Sequence, residues 1–323
     1  MKLTSNIVKQ NTLIDIKISE TQTIIVYLNE KTGYLTILGN FNPNTGLPEP
    51  LLKLNISGEF NQPIILPDSL AELIISGKFN QPIILPNSLN LLYILCDAKF
   101  NQPIILPDSL LDLVINGKFN QPIILPDSLL ELNIEGEFNQ LIILPDSLIF
   151  LVFDGNFNRP IILPDNIAIF HIDGEYNQPI ILPNSIKEFR INGEYNQPII
   201  LPDSMIIFSI GVDINYDSKF NQPIIIPDSL IHLDIGGEFN QPIILPDSLT
   251  SLEINGEFNQ PIILPDSLIS IEINGVFNQP INFPETLKIL MIPETAKFNQ
   301  RFTLSNNLYN NLEELDIKGI LCI

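Results

Sequence analysis

The chain has 323 residues, 45% of them hydrophobic, and its 37 acidic residues against 16 basic ones leave a net charge of −21. That sign argues against nucleic acid or an anionic membrane surface, both of which call for Lys and Arg, and no apolar run approaches the roughly 18 residues of a membrane span. Basic protein partners, metal cations and plain solubility stay open. The two cysteines, Cys96 and Cys322, lie far apart in a linear array, so no disulfide is expected and a reducing compartment fits.

The chain opens on MKLTSNIVKQ, which has neither an apolar core nor a small-residue cleavage site, so secretion is not expected. Leu13 to Ile18, Ile24 to Leu28 and Tyr34 to Leu38 read as short strands, the last two joined by Asn29-Glu30-Lys31-Thr32-Gly33. Residues 1–40 are therefore expected to form a β-rich N-terminal cap.

A repeat follows. A degenerate copy starts at Phe41, and the phrase FNQPIILPDSL then stands unchanged at Phe60, Phe100, Phe119, Phe239 and Phe258. Near-copies begin at Phe79, Phe138, Phe157, Tyr176, Tyr195, Phe220 and Phe277, and a degenerate last copy at Phe298. The usual step, as from Phe100 to Phe119, is nineteen residues, with the template F-N-Q-P-I-I-L-P-D-S-L-x-x-L-x-I-x-G-x.

In its second half, Leu129 to Glu135 alternate: Leu130, Leu132 and Ile134 are expected on one face, Glu131, Asn133 and Glu135 on the other. Gly136 follows at a corner open to positive φ. In the first half, Pro122 and Pro126 lack N–H donors, which rules out a central strand and predicts an extended or 3₁₀ back side. Asp127-Ser128 predicts a turn whose side-chain oxygen satisfies backbone N–H groups. The Phe, Ile and Leu letters are assigned to the core. One copy buries too little to offset the ordering of nineteen residues, so the copies must stack. The fold class predicted is a mainly β repeat solenoid with one parallel sheet and like residues stacked on like.

Three insertions break the period, near Leu95-Cys96-Asp97, at Val212 to Ser218 and near Pro293-Glu294-Thr295. All follow the strand at the same corner, and insertions gathered on one face often mark a binding face. The middle one contains Asp213-Ile214-Asn215-Tyr216-Asp217, like the start of a calcium loop, but Ser218 stands where glycine is required and Ile224 where Glu is, so no metal site is assigned. The chain closes with a strand pattern at Leu312 to Ile317 and a tail, residues 320–323, expected to cover the last open edge.

The spelling F-N-Q-P-I followed by L-P-D-S-L-x-x-L-x-I resembles the FNIP repeat, a relative of leucine-rich repeats, over about Phe41 to Gly319. The third letter is Gln rather than Ile. The second half is similar to the short leucine-rich repeats of bacterial effectors. The resemblance implies a leucine-rich-repeat-like arc and an origin in amoebae or in large DNA viruses of amoebae, hence a cytoplasmic protein, in the host cytoplasm for a viral chain. It also implies an asparagine ladder, shifted here to Asn139. FNIP arrays often follow an F-box or accompany a kinase domain, and residues 1–40 match neither. A role as the recognition array of a ubiquitin ligase thereby loses its main support.

Function is sought where the copies differ. One outward column of the sheet runs Asn133, Val152, His171, Arg190, Ser209, Asp234, Glu253, Glu272. Its neighbour runs Glu131, Phe150, Ile169, Glu188, Ile207, His232, Ser251, Ser270. Phe150, Val152, Ile169 and Ile207 are expected to form an exposed apolar patch among acids, and such patches tend to mark partner sites; stray β-branched residues on a sheet are the plainer alternative. The Asp column (Asp108, Asp127, Asp146, Asp165) reads as turn capping. Catalytic and cofactor residues are not found: His171 and His232 lie several copies apart without a nucleophile, and the cysteines have no metal-ligand spacing. The expectation is a non-catalytic scaffold for a protein partner, a basic one among the candidates, with a monomer favoured over a homo-oligomer. A structural or self-assembling protein of a filament or virion is the alternative.

Overall fold

The structure is a computed structural model that describes residues 12–19, 22–29, 34–38, 47, 50–211 and 218–317. Strands β1 (Thr12–Ser19) and β2 (Gln22–Asn29) pair antiparallel, and β2 pairs antiparallel with β3 (Tyr34–Leu38). From there the connection changes kind, and β3 lies parallel to β4 (Lys53–Ser57). The chain divides into two compact units, Met1–Leu148 with Gly155–Phe157, and Ile149–Asp154 with Asn158–Ile323.

In the first unit β4 is followed by β5 (Glu72–Ile75), β6 (Leu91–Ile94), β7 (Asp112–Ile115) and β8 (Glu131–Ile134), each parallel to the one before. The second unit holds β9 (Phe150–Phe153), β10 (Ile169–Ile172), β11 (Glu188–Ile191), β12 (Ile207–Ile210), β13 (His232–Ile235), β14 (Ser251–Ile254), β15 (Ser270–Ile273), β16 (Ile289–Ile292) and β17 (Glu314–Ile317), again parallel in succession. One four-residue strand per copy is what the x-L-x-I letters allow, because Pro bars the back side from the ladder. The register pairs each residue with its equivalent in the next copy, so a solenoid with a parallel sheet is the observed class.

Six apolar letters per turn are buried, as in Phe119, Ile123, Leu125, Leu129, Leu132 and Ile134. The aromatic letters stack almost parallel. In the first unit Phe60 and Phe79 have centroids 5.8 Å apart and Phe119 and Phe138 6.2 Å; in the second, Tyr176 and Tyr195 are 6.3 Å apart. Paired strands advance by only about 4.8 Å. The step thus widens from the sheet to the aromatic column, and within each unit the turns fan open with the sheet on the inner side.

Asparagine ties the turns together. Asn120 Oδ1 accepts the backbone N–H of Asn139 and the Nε2 of Gln140, both at 3.0 Å. The same pair of bonds recurs from Asn61 to Asn80 and Gln81. The ladder survives the middle insertion: Asn196 Oδ1 takes Asn221 N at 3.0 Å although the two residues lie 25 apart in sequence. The shifted asparagine ladder is present, and its donors come from the following turn.

Several expectations need correction. The Pro-Asp-Ser-Leu turn forms, closed by Leu129 N to Pro126 O at 3.1 Å. The serine, however, donates rather than accepts: Ser128 Oγ points to Leu110 O of the turn before, at 2.7 Å. Leu130 is not inward. It precedes the strand and is 37% exposed, while Leu129 is fully buried. The second Ile of the phrase is not core either. Ile65, Ile84, Ile105, Ile124 and Ile143 in the first unit, and Ile162, Ile181, Ile200, Ile225, Ile244 and Ile263 in the second, are 87–90% exposed. Successive side chains of an extended chain point to opposite sides, so Ile123 and Leu125 turn inward and Ile124 has to turn out.

The corners explain the insertions. Gly136 sits at φ 71° and Gly193 at φ 64°. Where two residues are added, glycine is not used. Ala98, buried, closes a turn on Leu95 O at 2.9 Å, and Ala296 one on Pro293 O at 3.0 Å. Residues 212–217 of the middle insertion, including the calcium-like letters, and the tail 320–323 lie outside the described residues. The last copy carries a helix that the repeat pattern did not predict, α1 (Asn306–Asn311). Ser305 stands where other copies have the turn proline, and its Oγ accepts Leu308 N at 3.0 Å as an N-cap. Leu308 keeps the buried place of Leu70.

Candidate partner-binding face

The strands bring the two variable columns onto the side of the sheet away from the core. In the second unit one row runs Phe150, Ile169, Glu188, Ile207, His232, Ser251, Ser270, each opposite the next. The other runs Val152, His171, Arg190, Ser209, Asp234, Glu253, Glu272. Glu131 and Asn133 belong to the first unit, paired with Asp112 and Val114.

The apolar members sit lower than expected. Phe150, Ile169 and Ile207 are half-buried, and Val152 is only 8% exposed. On a parallel sheet each outward side chain is flanked by two neighbours within reach. The Phe150 ring meets His171 edge-on at 5.8 Å, which covers part of both.

Polar contacts hold the middle of the face. His171 Nε2 donates to Glu188 Oε1 at 2.9 Å. Burial first, then the Arg190 guanidinium, push the His171 pKa below its usual value, and the Glu188 carboxylate offsets only part of this. The contact is therefore a hydrogen bond from a neutral ring. Asp234 Oδ2 accepts Ser209 Oγ at 2.8 Å, yet burial raises its pKa, with Glu253 adding to the rise. Arg190 Nε is buried without a hydrogen-bond partner among the described residues. At the corner below, Asp173 accepts Asn192 Nδ2, and burial raises the Asp173 pKa as well.

The sign for His171 follows directly. With its folded pKa below the unfolded value near 6.5, the unfolded chain binds more protons as pH falls through 6.5, so stability drops there and levels off below the folded pKa. The melting temperature is expected to fall between pH 7.5 and 5.5, and His171→Gln should flatten that fall. An unchanged slope in the variant would assign the acid sensitivity to another group.

In the first unit the face carries two features that the two columns, begun at Glu131, do not include. Tyr93 donates to Asp112 Oδ2 at 2.6 Å, and its pKa is pushed up to about 12 by burial and by this acid. Extending the columns one strand at a time toward the N-terminus finds both residues. Asn133 Nδ2 donates to Glu135 Oε1 at 2.6 Å. The exposed Asp127, of the Asp column, lies on the back side. Among the described residues no group of three or more His, Cys, Asp or Glu is placed to hold a metal, and no helix is long and apolar enough to cross a membrane. At the corners after β13 to β16 runs an open groove of about 650 Å³, lined by residues such as Asn255, Gly256, Asn274 and Lys297.

The FNIP repeat family model matches residues 46–97, 100–136, 176–213, 220–257 and 258–298, more than half of the chain. The chain belongs to the FNIP repeat family. Its FNIP turns share their fold with solved leucine-rich-repeat proteins. CroV588 of a giant virus, described as a novel circular LRR protein, is 32% identical, with a TM-score of 0.62 over 83% of this chain and 46% of that one. The FNIP chain thus spans about half the length of CroV588. YopM from Yersinia enterocolitica WA-314 is 20% identical, with a TM-score of 0.54 over 80% of this chain and 65% of YopM, a likeness of fold alone. No curated protein matches the chain in sequence. The unmatched stretch 137–175 is where the phrase drifts, with Leu141 for the first proline and Arg159 for Gln.

Proposed function

We propose that this FNIP chain is a non-catalytic protein-interaction scaffold that presents the outward sheet face, and secondarily the corner insertions, to a protein partner. On this reading the N-terminal strands β1 to β3 cap the array that begins with β4. The observation that carries the reading is the contrast within one strand: Leu132 and its equivalents stay Leu, Ile or Phe in every turn, while their outward neighbours run through Glu, Phe, Ile, His, Arg, Asp and Ser. Core positions are held by packing, so outward variation is where recognition is free to be written. The leucine-rich-repeat fold supports the same reading. Acids dominate one end of the second unit's face, at Asp234, Glu253 and Glu272, which suits a basic partner.

Glu253→Lys with Glu272→Lys tests this better than a change at Asp234, whose carboxylate also holds Ser209. Affinity purification from the native host with mass spectrometry should show partners lost from the double variant, at an unchanged melting temperature. An identical partner set would overturn the sheet-face reading. Self-assembly into filaments is the second reading, since near-identical turns suit end-to-end stacking; the antiparallel strands β1 to β3 before the array oppose it.

A further inference from the structure

Four turns carry the pair Asn-Gly at the corner after their strand: Asn116-Gly117, Asn192-Gly193, Asn255-Gly256 and Asn274-Gly275. The backbone nitrogen that follows an asparagine can attack the carboxamide carbon and close a five-membered succinimide ring. A glycine leaves that nitrogen unscreened, because it has no side chain. The reaction needs a nitrogen whose N–H is not tied to a carbonyl, entry of water, and a proton for the leaving amide. The four corners differ on these points.

Asn192 is fully buried, with its Nδ2 on Asp173 Oδ1, so water is kept from it. Gly275 N–H donates to Ile254 O at 2.8 Å, which ties up the nucleophile of the last pair. Gly117 N–H donates to Asn116 Oδ1 at 2.6 Å, so the proton that has to leave is held by the group to be attacked. Asn255-Gly256 escapes these restraints. Both residues are half-buried and line the open groove, and among the described residues the Gly256 N–H has no acceptor. Packing alone demands glycine here, since a Cβ on Gly256 would stand 2.4 Å from Gly237 O.

The surroundings of Asn255 also supply catalytic groups. Its Oδ1 accepts Asn274 Nδ2 at 2.9 Å, a donor placed on the oxygen where negative charge gathers as the carbon becomes tetrahedral. Its Nδ2 lies 3.3 Å from Glu253 Oε2, a carboxylate beside the nitrogen that has to be protonated before it leaves. We propose that Asn255-Gly256 is a self-deamidating site, with Asn274 as oxyanion donor and Glu253 as proton carrier. The bond from Gly256 N to Asn255 Cγ forms as the Cγ–Nδ2 bond breaks. The proton of Gly256 N passes by way of Glu253 to Nδ2, and ammonia leaves. Water then opens the succinimide at Cγ to give aspartate, or at the main-chain carbonyl to give isoaspartate. Aspartate suits the corner, because Asp154 and Asp173 hold the same letter in other turns. Isoaspartate lengthens the backbone by a methylene next to Gly256, whose O accepts Val276 N at 2.7 Å. Either product adds a negative charge beside Glu253, at the acidic end of the sheet face.

The experiment is incubation of the purified full chain in heavy-oxygen water at mildly alkaline pH and body temperature, with peptide mapping by mass spectrometry at intervals. Asn255 is expected to take up solvent oxygen at least about tenfold faster than Asn192 or Asn274, and to yield both aspartate and isoaspartate. Asn274→Ala and Glu253→Gln should each slow Asn255 by about tenfold or more. Loosening of the corner would speed the reaction, so a slowing is not explained by damage to the fold. In the urea-unfolded chain the four pairs should react at similar rates, which assigns the ranking to the structure. A folded chain in which Asn255 reacts no faster than Asn192 and Asn274 overturns the proposal. An unchanged rate in either variant overturns the role of that residue, and an unchanged rate in both reduces the site to open access without catalysis.

Discussion

Gly136→Ala is expected to damage the first unit severely, lowering its stability by about 3–5 kcal/mol. Two separate costs meet at this corner. Gly136 has φ 71°, where a side chain crowds the following carbonyl. A Cβ there would also come within 2.6 Å of Gly117 O and 2.7 Å of Gly117 N. These atoms belong to backbone that cannot step aside, because Glu137 N donates to Gly117 O at 3.0 Å in the same ladder. The denaturant midpoint should fall without a change in the far-UV spectrum of the folded state. The longer corners supply the rescue. Replacing Glu135–Glu137 by the sequence of Leu95–Lys99, in which Ala98 closes the turn, should recover most of the loss. Failure of that rescue would mean that the corner is fixed by more than glycine.

Much of this architecture was legible because it is repeated. The nineteen-residue step, the strand at x-L-x-I and the stacked phenylalanines all follow from letters that recur together, and periodicity averages out local accidents; the asparagine ladder follows from the resemblance to leucine-rich repeats. The two misplaced residues have different causes. Ile124 goes to the core on hydrophobicity, whereas an extended chain alternates and Ile124 follows inward Ile123. Leu130 goes inward by carrying the alternation of Leu132 and Ile134 back one residue too far, since the strand starts at Glu131 and Leu129 takes the inward place before it. The direction of the Ser128 hydrogen bond was not legible either, because a hydroxyl both donates and accepts, and only the position of Leu110 O decides. Helix α1 arises where Ser305 replaces a proline and extra residues precede the last strand, a local event that a repeat template hides. On the candidate face, the columns were legible as columns from spacing alone. The low exposure of Val152 and the neutral state of His171 were not, since both depend on how far the flanking side chains lean over them.

Asn120→Ala is the second large effect, a loss of about 2–4 kcal/mol from the removal of one acceptor that serves two donors. The side chain is half-buried, and its Oδ1 takes Asn139 N and Gln140 Nε2 at once. Deleting it leaves a backbone N–H that, in an extended turn between two others, has no carbonyl of its own turn to fall back on. Asn120→Asp keeps both acceptor bonds and should cost less, despite adding a charge to an acidic chain. Gln140→Ala removes only one donor, frees the oxygen to hold Asn139 more closely, and should cost under about 1 kcal/mol. Combining Asn120→Ala with Gln140→Ala should cost less than the sum of the two, since the second change deletes a donor that the first had already orphaned. Hydrogen exchange at the Asn139 amide should accelerate in Asn120→Ala and stay slow in Gln140→Ala. Equal exchange in the two variants would show that the turns are held by strand and aromatic stacking alone, with the asparagines ornamental to a stack that packing had already fixed.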